Sequence, residues 1–470
     1  MTTTTTTEGK AGGGAQHISL RKVLGPVHVW ALGVGIVLVG EFTGWNFSLA
    51  KGGAWGALIA CWYIGLLYTC VAMIDSEVTS TVAAAGGQYT QAKHIIGPLM
   101  AFNVGLYLVM AYTMLEASNA IVVGDLLKSF AGETGYPDLD VKPFIVLTIA
   151  VLAWLNYRGV YATLTVNFVI TAIAFASIIV LFFSVSPASP GKVLLHRELF
   201  TDLPYGWIGA IGALQFGMWY YLGIEGTCQA AEEVRSAGRS IPLGTMSGMI
   251  TLLVAASLTW YVASGLMPWQ YLGQAYTPLY DAAKLTGGGA LQAIMFIGTL
   301  FAALASANGC INDASRSWFS MGRDRYMPEW FGAVHPRYRT PYRAILFLIP
   351  IAVVFALLFY TRLDLVIGFS ILSGLLGYTF MSFNMMRFRK LWPLGSIHRG
   401  YVHPFHPWTA IILLLLCTTV YFATYLGYSD MLLSIMAFYI AASVWFAFHR
   451  YKYVKRGDQF TMPWPRPKGY

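Results

Sequence analysis

Charge is what this sequence has least of. Asp, Glu, Lys and Arg make up 11% of its 470 residues, under half of the about 25% usual in a soluble domain. That composition excludes an ordinary water-soluble fold. The net charge of +9 does not point to nucleic acid, because the basic residues fall in short stretches between long apolar runs. Cysteine is scarce too. Cys61, Cys70, Cys228, Cys310 and Cys417 all lie inside apolar runs without paired spacing, which excludes a disulfide or zinc framework and leaves buried thiols. No nucleophile–base pair, zinc motif or phosphate-binding loop appears, so an enzyme is the least favoured class. The threonine- and glycine-rich residues 1–16 have no apolar core followed by a cleavage site, and read as a polar tail.

What the chain has in abundance is apolar length. Hydrophobic residues make up 57% and mean hydropathy is +0.59, so the fold expected is an all-α integral membrane protein. Twelve spans are readable, at about 27–50, 54–83, 98–127, 143–156, 160–185, 206–231, 242–266, 289–316, 343–361, 364–386, 408–427 and 430–449. Charge asymmetry sets their orientation. With the N-terminus inside, only Lys51, Lys128, Lys142, Lys192, Arg197, Lys284 and Arg362 of the 30 basic residues face out. Both termini are therefore expected in the cytoplasm.

The first span contains a polar insert, Gly40-Glu41-Phe42-Thr43-Gly44, followed by Trp45. Flanking glycines weaken a helix and let it open. Freed backbone groups are tolerated at membrane depth only in a cavity or inside protein, so a break there is a candidate ligand site. The alternative is a continuous helix whose glycines pack on a neighbour. The sixth span repeats the pattern, with Trp219, Leu222, Gly223, Glu225 and Gly226 at its centre. An offset of five spans means that the two breaks enter the membrane from opposite sides. Two such halves form an inverted repeat with substrate at the midplane, which separates a transporter from a channel or a membrane enzyme.

Several stretches resemble the amino acid–polyamine–organocation permease superfamily. They are Gly86-Gly87-Gln88-Tyr89 with Glu77 upstream, Trp219-x-x-x-Gly223-x-Glu225, and Ala231-Glu232-Glu233-Val234 with Ile241-Pro242. Arg323-Asp324-Arg325-Tyr326-Met327-Pro328 and His335-Pro336-Arg337 are similar to that family's cytoplasmic hairpin, although glycine is usual where Arg325 stands. The resemblance covers about 20–450. It implies a LeuT-type fold of five plus five spans with two peripheral ones, helices 1 and 6 being broken. The division implied is a tail at 1–20, a core at 21–386 with repeats at about 21–190 and 200–386, a loop at 387–407, peripheral helices at 408–450 and a tail at 451–470. Within the superfamily, Gly40-Glu41-Phe42-Thr43-Gly44-Trp45 resembles the ethanolamine permease branch. Relatives that couple to protons often carry a lysine seven positions after the residue matching Asn167, where this chain has Ala174. The coupling ion, H+ or Na+, stays open.

The intramembrane acids carry the functional expectation. Glu41 binds a cationic substrate or caps the second half-helix. Glu225 stabilises its break or a coupling site. Glu116 is a second substrate acid, a proton acceptor or the partner of a buried hydroxyl. Trp219 matches an aromatic gate of the related arginine/agmatine antiporter and would cover an ammonium by cation–π attraction, or else simply packs. Asp75 and Glu77 read as structural or gating. His398, His403 and His406 share a loop without the spacing a metal site needs. The expected substrate-binding set is Gly40, Glu41, Thr43, Gly44, Trp45, Glu116, Trp219, Leu222, Gly223 and Glu225, with no cofactor and no metal. The function expected is import of a small organic amine such as ethanolamine across the cell membrane. The alternative is a permease or exchanger for a zwitterionic or cationic amino acid.

Overall fold

A computed structural model describes residues 20, 22–185, 203–285 and 288–454. The expected tails lie outside the described residues over 1–19 and 455–470. In chain order the α-helices are α1 (Pro26–Val37), α2 (Val39–Phe42), α3 (Phe47–Thr81), α4 (Gln88–Ile95), α5 (Pro98–Glu133), α6 (Lys142–Arg158) and α7 (Val160–Val185). There follow α8 (Gly206–Gly217), α9 (Ala237–Leu266), α10 (Trp269–Leu272), α11 (Pro278–Leu285), α12 (Gly289–Arg323), α13 (Tyr342–Leu358), α14 (Leu363–Leu391) and α15 (Trp408–Trp445). Among the described residues the only β-pairing is an isolated bridge between Leu24 and Val234.

Seven helical stretches are long and apolar enough to cross a membrane. Twelve spans are readable in the sequence, and the difference has local causes. α3 comprises two helical segments that meet at non-helical Gly53 (φ 66°, ψ −170°), the end of the first expected span and the second. α15 likewise comprises the last two expected spans, which meet at non-helical Tyr428 (φ −146°, ψ 50°). α6 and α13 are 17 residues each, and the first and sixth spans are interrupted.

Burial is inverted relative to a soluble protein. Trp62, Leu66, Leu147, Phe183, Ile250 and Leu415 are all exposed, whereas Glu41, Glu116, Asp313, Asn119 and Asn312 are fully buried. Apolar exteriors suit acyl chains, and polar groups then turn inward. α12 is the central post. It packs on α5, α7, α1 and α6, and from Ala305 to Gly322 every residue is buried. Its small residues allow that approach: a Cβ added at Gly309 would collide with the Ile36 side chain of α1.

Two interruptions position the site. α1 and α2 end at Phe42. Thr43 is extended (φ −157°, ψ 159°), and Gly44 has φ +93°, a conformation that only glycine adopts without strain. The Asn46 side chain then accepts a hydrogen bond from the Gly44 N–H at 3.0 Å. In the second interruption α8 tightens into a 3-10 turn at Met218–Tyr220. Gly223 is left-handed (φ +111°), and the chain continues as 3-10 turns, Ile224–Cys228 and Ala231–Glu233. α-Helix resumes only at Ala237.

Candidate functional site

The two interruptions touch. Gly40 lies against the backbone of Trp219, whose carbonyl oxygen occupies the space a Cβ at Gly40 would need. A Cβ at Gly44 would stand 2.5 Å from Trp219 Cδ1. The indole is thus held across the first interruption, on the two positions that carry no side chain. Beside it Trp45 stacks on Tyr220, with ring centroids 5.5 Å apart at 25°. The indole nitrogens of Trp45 and Trp219 and the Tyr220 hydroxyl are buried donors with no protein partner.

Glu41 lies in the last turn of α2, just ahead of the non-helical residues rather than among them. It is fully buried, and neither carboxylate oxygen has a hydrogen-bond partner. A carboxylate so situated lacks the compensation that burial of a charge demands. A ligand cation would supply it.

Glu225 is situated differently. Its Oε1 accepts hydrogen bonds from Tyr378 at 2.7 Å and Tyr112 at 3.3 Å, and its Oε2 from the Gly223 N–H at 3.2 Å. It ties α14 and α5 to the second interruption and has little capacity left for a ligand. Leu222 packs toward Gly374 of α14, at 2.9 Å from the place a Cβ there would take. Glu116, on α5, is buried with both oxygens unpartnered.

Asp313 joins these acids from α12 without having been singled out in the sequence. It is fully buried. Its Oδ1 accepts from Asn312 at 2.9 Å, and its unpartnered Oδ2 faces Gly226. An acid within an apolar run is a signal that the sequence does contain.

Tethers flank the site on both sides. On one side Thr43 Oγ1 donates to the Tyr276 carbonyl at 2.9 Å, and Asn46 Nδ2 donates to those of Leu272 and Ala275 at 2.7 and 2.9 Å. The segment between α10 and α11 thereby straps the first interruption. On the other side Arg316 and Glu233 form a buried pair at 2.8 Å. The Glu233 carbonyl accepts the N–H groups of Val23 and Leu24, and Glu232 pairs with Arg323 at 3.1 Å. Asp75 accepts hydrogen bonds from Gln91 and Gln88 at 2.8 and 3.1 Å. Glu77 gathers Arg389 at 2.7 Å, Arg399 at 3.3 Å and His403 Nδ1 at 2.7 Å, fixing α3 to the loop after α14. His403 is also bonded to Thr409 at 2.8 Å. Burial first, and the charge of Arg389 second, hold the His406 imidazole below its ordinary range.

The position of Trp219 allows packing and ligand cover to be separated. Trp219→Leu is expected to weaken binding of an ammonium substrate while the protein stays folded. Trp219→Phe should keep much of the affinity, because phenylalanine retains a weaker π face. Direct binding on both purified variants tests this, and equal losses would mean packing alone.

The family model described as amino acid permease matches residues 27–455. An uncharacterized transporter of Rhizobium meliloti (strain 1021) is 68% identical over 455 residues, covering 97% of each chain. The methylthioribose transporter of Bacillus subtilis (strain 168) is 27% identical over 346 residues, 69% of this chain and 72% of that one. A branched-chain amino acid permease of the same organism is 22% identical over 354 residues, 70% and 73% of the two chains.

Proposed function

The chain belongs to the amino acid permease family, and from that premise we propose that it is a secondary transporter importing a small organic amine, ethanolamine or a close relative. It is a multi-pass membrane transporter rather than an enzyme. The finer reading is that the ammonium binds between the two interrupted segments during alternating access. Those segments correspond to broken helices 1 and 6 of a LeuT-type inverted repeat of twelve spans in the cell membrane, with both termini cytoplasmic. Support for the pairing of halves comes from the contact of Gly40 with Trp219 and from a left-handed glycine in each segment, Gly44 and Gly223.

One observation carries the substrate class. Glu41 is buried with both oxygens unpartnered, among unpartnered indole and phenol groups. A primary ammonium complements the carboxylate and the aromatic faces, and an acceptor on the substrate, such as the ethanolamine hydroxyl, would serve the indole and phenol donors. The Gly44 N–H, which would otherwise serve a substrate carboxylate, is already held by Asn46. That favours an amine without a carboxylate of its own.

A second reading has its own support. The similarity to a branched-chain amino acid permease favours an amino acid, with Glu41 holding the α-ammonium or only capping α3. Uptake into proteoliposomes decides between them. Labelled ethanolamine should enter and be displaced by other small amines, with zwitterionic amino acids competing weakly. Effective competition by amino acids together with no ethanolamine uptake would overturn the amine reading. Imposed proton and sodium gradients in the same vesicles identify the coupling ion, H+ or Na+.

A further inference from the structure

One cluster of charge stands apart from the site. At the C-terminal end of α6, Arg158 is exposed, and the hairpin that follows the 3-10 turn Glu329–Gly332 brings Arg337, Arg339 and Arg343 beside it. Among the described residues none of these four arginines has a carboxylate partner. Rings hold Arg158, Arg337 and Arg343 instead. The Arg158 and Arg337 guanidinium groups lie 5.8 and 5.6 Å from the centroid of the same ring, Tyr338. Arg158 also lies 4.8 Å from the Trp154 ring. Arg343 sits 5.6 Å from the Trp330 ring and donates to the Tyr342 hydroxyl at 2.9 Å.

The hairpin that presents these charges is rigidly built. The His335 N–H donates to the Thr340 carbonyl at 2.8 Å, and the Arg339 N–H to that of His335 at 3.0 Å. His335 Nδ1 accepts the N–H groups of Arg337 and Tyr338 at 3.2 and 3.1 Å. Thr340 Oγ1 fastens the turn to the Tyr157 carbonyl at 3.0 Å. Arg339 is held at φ +58°, a conformation that costs an L-residue energy and is kept only where the surroundings enforce it. Like charges gathered with no counter-charge repel, so the arrangement calls for an external anion.

The surface below the cluster says which anion. Leu147, Val151 and Trp154 are exposed along one face of α6, and that helical face ends at Arg158. α13 packs on α6 and exposes Leu346, Phe347 and Val354 on leaving the same hairpin. Two apolar stripes thus converge on one basic head. Exposed Trp154 and Trp330 sit at the changeover, where interfacial tryptophans belong. From this we infer that the α6–hairpin–α13 surface binds an anionic phospholipid, its phosphate on Arg158 and Arg337 and its acyl chains along the two stripes. Basic pockets between spans are a known means of holding such headgroups. The inference does not depend on which substrate is carried.

The full chain, purified and stripped of lipid in detergent, provides the test. Phosphatidylglycerol in mixed micelles should raise the midpoint of thermal unfolding, and phosphatidylcholine should do so much less. Native mass spectrometry should show phosphatidylglycerol retained. Arg158→Gln with Arg337→Gln should weaken that retention about tenfold or more, while its melting in phosphatidylcholine stays that of the parent. Equal retention of the two lipids by the parent protein overturns the inference, even if the double variant does not fold. So does undiminished retention of phosphatidylglycerol by a folded double variant. Inorganic phosphate protecting as well as the lipid would show a soluble anion site instead, and would equally overturn it.

Discussion

Glu41→Gln is expected to reduce amine affinity about tenfold or more. The substitution preserves size and hydrogen-bonding shape but removes the charge. A charge-assisted hydrogen bond contributes roughly 1.5–3 kcal/mol, and every 1.4 kcal/mol is about tenfold in Kd. In the absence of ligand the variant should be at least as stable as the parent, because the Glu41 carboxylate is fully buried and bonds to nothing in the protein. No hydrogen bond within the protein is lost by the change. If Glu41 instead served to cap α3, the signs would reverse: ligand-free stability would fall and affinity would stay. Direct binding and thermal unfolding with and without ethanolamine, on both purified proteins, separate the two. Unchanged ethanolamine affinity in folded Glu41→Gln would remove the basis for amine pairing and bring the amino acid reading forward.

Arg316→Met should have the largest effect on stability. The guanidinium donates to Glu233 through Nε at 3.1 Å and through its terminal nitrogen at 2.8 Å, and to the Asn312 carbonyl at 2.9 Å. Both members of the pair are almost wholly buried, at 2% and 1% exposure. Removing one strands the other, at a cost of about 3–5 kcal/mol. More than a helix contact is lost, since the Glu233 carbonyl also receives the Val23 and Leu24 N–H groups ahead of α1. The double variant Arg316→Met/Glu233→Met should melt higher than Arg316→Met alone, because it leaves no orphaned charge. Thermal unfolding in detergent gives the comparison. A double variant as unstable as the single would show that the desolvated carboxylate is not the source of the cost.

The sequence discloses some of this site and hides the rest, for physical reasons. Glu41, Glu225 and Glu116 stand out because a charge in an apolar run is expensive wherever it lies. Asp313 lies in the expected span 289–316 too; it is harder to see because Asn312, Ser315 and Arg316 make its surroundings read as the polar end of that span. The contrast between Glu41 and Glu225 is not legible at all. It depends on Tyr112 and Tyr378, which reach Glu225 across 113 and 153 residues of chain. In a chain that is 15% aromatic no local pattern marks two tyrosines as donors. The glycines are legible as special but not in their roles. Gly44 is needed for a left-handed turn, whereas Gly40 is helical and is needed for a neighbour's carbonyl. Span counting reads apolar length and polar gaps, and the breaks it places between 50 and 54 and between 427 and 430 fall at the non-helical residues Gly53 and Tyr428.

The contact between Gly40 and the Trp219 carbonyl has a mechanical consequence. Backbone lies against backbone there, with no flexible side chain to absorb a shift. A tilt of α2 would therefore press directly on the Met218–Tyr220 turn. An added methyl at Gly40 is expected to wedge the two faces apart and lower the thermal-unfolding midpoint of the purified protein.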